Sequence, residues 1–215
     1  MMGNNISTGT GFVVNTAKGP ALITNRHNVT GKNNVTGDYL SQQCYIPDEI
    51  IIRHNQTTIG NWVDKSEIIL EDYNPKWIEH PTLGERADFV AKLLSNLSDD
   101  VKIYPYDITT NQFQMDYLPS DIVSVIGFPF GRNAGGSLAI WTSGFIASEP
   151  DIDYDGLPQF LIDCRSRKGQ SGSPVIAYRS MGFNLHAGNW TGLLTGPTEK
   201  FLGIYSGRIS PESDI

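Results

Sequence analysis

Apolar residues in this chain come in short runs, each closed by Gly, Pro, Asn or Asp. GFVVN (11–15), ALITN (21–25), EIIIR (49–53), SEIIL (66–70) and DFVAKLL (88–94) form a first set. DIVSVIGF (121–128), SLAIWTSGFIAS (137–148), QFLIDC (159–164), SPVIAY (173–178) and FLGIYSG (201–207) form a second. Runs of this length, rich in Val, Ile, Phe and Tyr and separated by turn residues, predict the strands of an all-β barrel or sandwich. No run beyond about ten residues keeps a helical period. SNLSDD (95–100) and SPES (210–213) are each compatible with one turn of helix. YPYDITTNQFQMDYLPS (104–120) breaks the pattern and separates the two sets.

Composition narrows the function. The 215 residues suffice for one domain, or for two small lobes sharing a core. A net charge of −7 with no Lys/Arg cluster is a poor match to a phosphate backbone, so nucleic acid is set aside. No segment approaches the ~20 apolar residues of a membrane span, and MMGNNISTGTGFVV lacks the basic-then-apolar order of a signal peptide. Cys44 and Cys164 make no disulfide framework. The sequons at Asn5, Asn28, Asn34, Asn55, Asn96 and Asn189 read as chance in an Asn-rich chain. Together these features predict a reducing, cytoplasmic setting.

KGQSGSPVI (168–176) places a serine between two glycines directly before a strand. A serine hydroxyl becomes a nucleophile only with a base in reach and a group that orients the base. His27 closes ALITN, at an edge where a side chain can face a cleft. His54 follows EIIIR into a polar turn, His80 sits in IEHPTLGE, and His186 in FNLHAGNW. Taken singly, each reads as structural or solvent-facing. Asp88 opens the apolar run ADFVAKLL, where a carboxylate is costly unless paired. An imidazole N–H would satisfy it and fix the tautomer a base needs, though a strand's wet end also accommodates an acid. The order His27, Asp88, Ser171 excludes the α/β-hydrolase order and the subtilisin order, and fits the chymotrypsin order.

Five segments in sequence carry a family resemblance. LITNRH, ADFVAKLL, GQSGSP, VIGFPFG with WTSGFIAS, and GIYSGRI each resemble a characteristic stretch of trypsin-like serine peptidases, and along the chain they fall in the family's order. The fourth resembles the HtrA-like and glutamyl-endopeptidase branch in particular. The match spans about Thr8 to Ile209. It implies two antiparallel six-stranded β-barrels (residues 1–110 and 111–215) forming one peptidase domain with the active site between them. It further implies Ser171 as nucleophile, His27 as general base and Asp88 as its orienting group. The N–H groups of Gly169 and Ser171 would form the oxyanion hole, and Ser206 would bond the buried acid.

Several positions depart from the family pattern. Gln170 stands where secreted members carry the Asp that pairs with a new N-terminus, so no proteolytic zymogen switch is expected. Asn28 stands where many secreted members carry a bridging cysteine. Asn25-Arg26 replaces two small residues, and the pattern leaves open where Arg26 goes. The substrate pocket implied by the resemblance is lined by Arg165, Ser166, Tyr205, Gly207 and Arg208. Arginines facing it would favour an acidic substrate side chain; arginines snorkelling to solvent would not. The family places another strand after GIYSGRIS, where PESDI stands, which suggests a piece of a longer protein lacking the last strand of the second barrel. Asp151, Asp153, Asp155 and Gly156 open like an EF-hand loop, but Ile162 occupies the position of the bidentate Glu, so a hairpin tip is the better reading. No His or Cys spacing suits zinc, and neither metal nor cofactor is expected.

The reading is a serine endopeptidase acting on a protein or peptide through an acyl-enzyme. Two alternatives stay open: a non-catalytic binding module on the same fold, and a protease gated by a partner chain or regulatory domain.

Overall fold

The computed structural model describes residues 7–108, 115–180, 182–186, 189–194 and 197–209, the stretch 182–194 by its backbone alone. Among the described residues sixteen strands, one short α-helix and one 3-10 turn (Pro129–Gly131) follow in chain order. The first nine strands are β1 (Gly11–Thr16), β2 (Gly19–Thr24), β3 (Glu49–Gln56), β4 (Trp62–Ile68), β5 (Leu70–Glu71), β6 (Asn74–Pro75), β7 (Ile78–Glu79), β8 (Val90–Leu93) and β9 (Val101–Lys102). The other seven are β10 (Ile122–Gly127), β11 (Ile140–Ile146), β12 (Ile162–Cys164), β13 (Pro174–Arg179), β14 (Gly182–His186), β15 (Asn189–Leu194) and β16 (Thr198–Ile204). The helix α1 (Arg26–Thr30) lies between β2 and β3.

Pairing stays within each set. The first set forms the ladders β1-β2-β8-β7, β4-β3-β9 and β5-β6; the second forms β12-β11-β10-β13-β16 and β14-β15. Every strand ladder is antiparallel. The all-β, chymotrypsin-like architecture expected from the sequence holds. The pairings run as separate ladders rather than as two closed rings.

Three apolar clusters hold the elements. Val123, Val125, Ile146, Val175 and Tyr205 form the core of the second set. Val29, Ile69 and Val90, packed by Ile50 and Trp77, form a core of the first. The third cluster joins the sets: Phe12, Val14 and Ala21 pack against Phe201 and Ile204. Phe12 meets Tyr106 edge-on at 5.5 Å and Phe201 at 5.4 Å. This seam fixes the first strands of the chain against the last, which brings the ends of β2 and β16 into one region.

Some local expectations change. SNLSDD forms no helix, because its residues are spent elsewhere: the Ser95 and Asn96 N–H groups donate to the Glu67 carboxylate. SPES lies outside the described residues. The acidic stretch is a hairpin tip, bridged between Tyr154 and Leu157. His54 does not enter a turn; it sits inside β3, paired with Val63 and 6% exposed. The period-2 pattern continues through it, because an imidazole can take a buried strand position when it stays neutral.

That position makes acid stability a test of the core. Burial lowers the His54 pKa from its ordinary 6.5, with Lys65 pushing the same way and Glu67 and Asp64 opposing. Burial works against the Glu67 carboxylate too, but hydrogen bonds from Ser95, Asn96 and Lys92 outweigh it and hold its pKa below the ordinary 4.5. Above pH 6.5 His54 is neutral both folded and unfolded and contributes nothing to the pH dependence. Below 6.5 the unfolded chain takes a proton that the folded chain refuses, so stability falls. Glu67 adds a second loss as pH drops through 4.5 and below. We expect Tm to be level above pH 6.5 and to decline below it, and His54→Phe to flatten the upper part of that decline. Parallel Tm-versus-pH curves for both proteins would show His54 to be uninvolved.

Candidate active site

The ladders alone bring His27 and Asp88 together. Thr24 of β2 pairs with Val90 of β8. Because the pairing is antiparallel, the chain leaving Thr24 runs beside the chain entering Val90, and two to three residues on it reaches Asp88. There it turns into α1, with Asn25 at the N-cap and Gly31 at φ +67 closing the helix by an N–H bond to the His27 carbonyl. Val29, fully buried, pins the helix to the core; burying such a side chain is worth about 2 kcal/mol. The sequence pattern put His27 at a strand edge; the structure puts it on the first turn of a helix that a five-residue segment is too short to signal.

Asp88 then meets His27 twice. His27 Nδ1 lies 2.7 Å from Asp88 Oδ2, and the His27 backbone N–H donates to Oδ1 at 3.1 Å. Both side chains are largely buried, 17% and 14% exposed. Ser206 Oγ donates to Oδ2 at 2.9 Å. The Asn25 side-chain amide donates to the Asp88 carbonyl from a fully buried position. Arg26 turns away, to Glu79 at 2.9 Å and Glu85 at 3.5 Å, which answers where its charge goes.

A second ladder delivers Ser171. Pro174 of β13 pairs with Ile204 of β16, and the pairing extends outward: Tyr205 N–H donates to the Ser173 carbonyl and Gly172 N–H to the Tyr205 carbonyl. Ser171 therefore lies beside Ser206, whose hydroxyl is on Asp88. From the other side, the Ser171 carbonyl accepts from Thr10 N–H at 2.9 Å and from the side chain of Asn28, next to His27, at 3.1 Å. Gly172 permits this approach. Its φ is +88°, and a Cβ there would lie 2.1 Å from the Thr10 carbonyl oxygen.

The turn before the serine has all its carbonyls engaged. Lys168 O accepts from Phe130 N–H at 2.6 Å, and Gln170 O from Ser173 N–H at 2.9 Å. Gly169 O accepts from Thr10 Oγ1 at 2.7 Å. A trans peptide points its N–H opposite its C=O, so holding the Lys168 and Gln170 carbonyls aims the N–H groups of Gly169 and Ser171 the other way. Among the described residues neither N–H has an acceptor. Gly169 makes the turn at φ +89°. Gln170 closes it from inside: fully buried, it accepts from Arg167 N–H at 2.6 Å and donates to Thr142 Oγ1 at 3.0 Å. A neutral amide thus fills the position where an ionised carboxylate would need a cation.

Of the five residues that the resemblance assigns to a substrate pocket, two are buried and three are exposed. Tyr205 Oη donates to Ser166 Oγ at 2.7 Å, the pair 8% and 4% exposed. Burial pushes the Tyr205 phenol pKa up, aided by Cys164 and opposed by the Ser166 bond and the charge of Arg208. Arg165, Gly207 and Arg208 are exposed. The positive charge of Arg208 acts on Tyr205.

Sequence reasoning missed Thr10 and Thr24. Thr10 is 4% exposed and bonds Gly169, Ser171 and Phe128. The Thr24 hydroxyl donates to the Thr10 carbonyl and accepts from Asn28. Their only sequence signal was a small polar residue beside a strand, which is commonplace. Among the described residues no cluster of three or more His, Cys, Asp or Glu is arranged to hold a metal ion.

The chain finds no significant match among curated proteins. The family model of the trypsin-like peptidase domain matches residues 9–180, from just before Thr10 through the end of β13. That span includes His27, Asp88, Gly169 and Ser171, and by it the chain belongs to the trypsin-like peptidase family.

Proposed function

We propose that this protein is a serine endopeptidase of the HtrA-like or glutamyl-endopeptidase branch, acting on a protein or peptide in the cytoplasm. One observation supports the reading: the turn at 168–171 has every carbonyl hydrogen-bonded and, among the described residues, two N–H groups without an acceptor, near a histidine bonded to a buried carboxylate. Two such donors suit a developing oxyanion, where one is worth about 3 kcal/mol of barrier.

The steps are those of acyl transfer to a serine. Ser171 Oγ attacks the scissile carbonyl carbon while His27 Nε2 takes its proton. Asp88 holds the Nδ1–H and favours the imidazolium that forms. The carbonyl oxygen gains charge against the N–H groups of Gly169 and Ser171. Collapse breaks the C–N bond, and His27 protonates the departing amine. Water, deprotonated by His27, then hydrolyses the ester and frees Ser171. No metal or cofactor enters. Arg208 beside the Tyr205–Ser166 pair supports a preference for an acidic side chain before the scissile bond.

The departure at Asn25-Arg26 would favour the binding-module alternative if it distorted the site. Both residues have structural partners, Asn25 on Asp88 and Arg26 on Glu79 and Glu85, so the pair no longer favours it. The neutral Gln170 anchor supports a turn that forms without proteolytic activation. Regulation by a partner chain stays compatible with the same chemistry.

A fluorophosphonate probe tests the reading. The expected result is stoichiometric labelling mapped by peptide mass spectrometry to Ser171. No labelling, or labelling confined to another residue, would overturn it.

A further inference from the structure

The Thr10 hydroxyl spans the seam between the two sets of strands. It donates to Gly169 O at 2.7 Å and accepts from Phe128 N–H at 3.1 Å. The Thr10 backbone N–H adds a bond to Ser171 O, and its carbonyl accepts from Thr24 Oγ1. One buried residue of the first set thus holds both ends of the turn that carries Gly169 and Ser171. It also holds Phe128, the residue before the Pro129–Gly131 turn, whose Phe130 N–H secures Lys168. Phe130 makes that bond at φ +57°, a conformation uncommon for a bulky residue, so the turn needs outside support.

We propose that Thr10 is a positioning residue for the oxyanion donors: its hydroxyl couples the Gly169 carbonyl to Phe128 and so fixes the Gly169–Gln170 peptide, which joins the two peptides whose N–H groups are the donors. The inference rests on the peptidase reading. Thr10 touches no reacting atom. It acts through the two carbonyls it binds and through Phe128. Removing its hydroxyl leaves a part-buried carbonyl and a part-buried N–H unpaired, and both find new partners most readily by rotating the peptides of the turn. Nothing at His27 or Asp88 depends on the hydroxyl.

Thr10→Val removes the hydroxyl and keeps the shape; Thr10→Ser keeps the hydroxyl and drops a methyl. The readout is the second-order rate of fluorophosphonate labelling at Ser171, taken across pH and well below each variant's Tm. Thr10→Val is expected to slow labelling by about 100-fold, the scale of losing one oxyanion donor. Its pH midpoint should match the wild type, because the base is untouched. Thr10→Ser should stay within about threefold of the wild type. Should Thr10→Val fail to fold, Thr10→Cys replaces it, holding the size of serine with only a weak donor. Wild-type labelling by the hydroxyl-free variant, or Thr10→Ser as slow as it, would overturn the inference alone. A wild-type protein that does not label at all would overturn the peptidase reading and this inference with it.

Discussion

Asp88→Asn is expected to lower turnover of fluorescein-labelled casein by about four orders of magnitude, the scale seen when a triad aspartate is amidated. The Asp88 carboxylate accepts three hydrogen bonds: the His27 backbone N–H on Oδ1, and His27 Nδ1 and Ser206 Oγ on Oδ2. Asparagine has one acceptor oxygen. If that oxygen keeps the His27 backbone N–H, its NH₂ faces Nδ1 and forces the ring to accept there. The proton then sits on Nε2, and the nitrogen that should take the Ser171 proton cannot. Ser206 would have to reverse from donor to acceptor. The fold should survive, since Asn has nearly the same shape and the Asn25 bond is to the Asp88 backbone. Fluorophosphonate labelling should slow in parallel, with Tm within a few degrees of the wild type. A loss of less than about tenfold would separate Asp88 from the chemistry.

Gly172→Ala should produce the largest loss of stability from a single methyl. The residue holds φ +88°, a conformation that costs a side chain about 1–2 kcal/mol. Its new Cβ would meet the Thr10 carbonyl oxygen at 2.1 Å, Thr24 Oγ1 at 2.7 Å and the Asn25 N at 3.1 Å. Two of these are backbone atoms of the facing set of strands and cannot swing aside. Either the seam opens or the turn refolds, and overpacking of this kind adds about 1–3 kcal/mol. Together these predict a Tm lower by about 6–15 °C for a chain this size. Gly207→Ala is the control, since nothing lies within 4 Å of its added Cβ and its φ lies outside the strained region. Scanning calorimetry of the two variants makes the comparison, and equal Tm values would show that the seam tolerates the methyl.

The two substitutions probe different kinds of legibility. His27, Asp88 and Ser171 could be read as candidates because each broke a local expectation: an imidazole at a strand edge, a carboxylate on an apolar run, a hydroxyl between glycines. Most strands were legible because their apolar runs are short, rich in Val, Ile, Phe and Tyr, and closed by turn residues. The misses follow the same logic. α1 is too short to show a helical period, and His54 was read as a turn residue because polar side chains seldom sit inside buried strands. The hairpin β14–β15 was passed over, since FNLHAGNW reads as a Gly-rich loop.

Thr10, Thr24 and Gln170 belong to another class. Their contribution is set by partners 14, 28 and 159 residues away, and no local pattern marks a hydroxyl that will find a carbonyl at such a separation. Gln170 announced itself only as a departure from a family pattern, with no hint that Arg167 and Thr142 would take up its amide. That the charge of Arg208 would act on Tyr205 was equally hidden, because a long side chain's direction depends on the surface beside it.

By itself, then, the order of residues determined the alternation of strands and turns, the all-β class and the candidates for the reactive groups. These depend on each residue's own chemistry and on neighbours a few positions away. Only the tertiary structure decided the registers that set Thr24 opposite Val90 and Pro174 opposite Ile204, and with them which side chains share one small volume. It also decided which way each peptide of the serine turn faces. Both are properties of long-range pairing, where the free energy of a contact depends on everything else that is already packed.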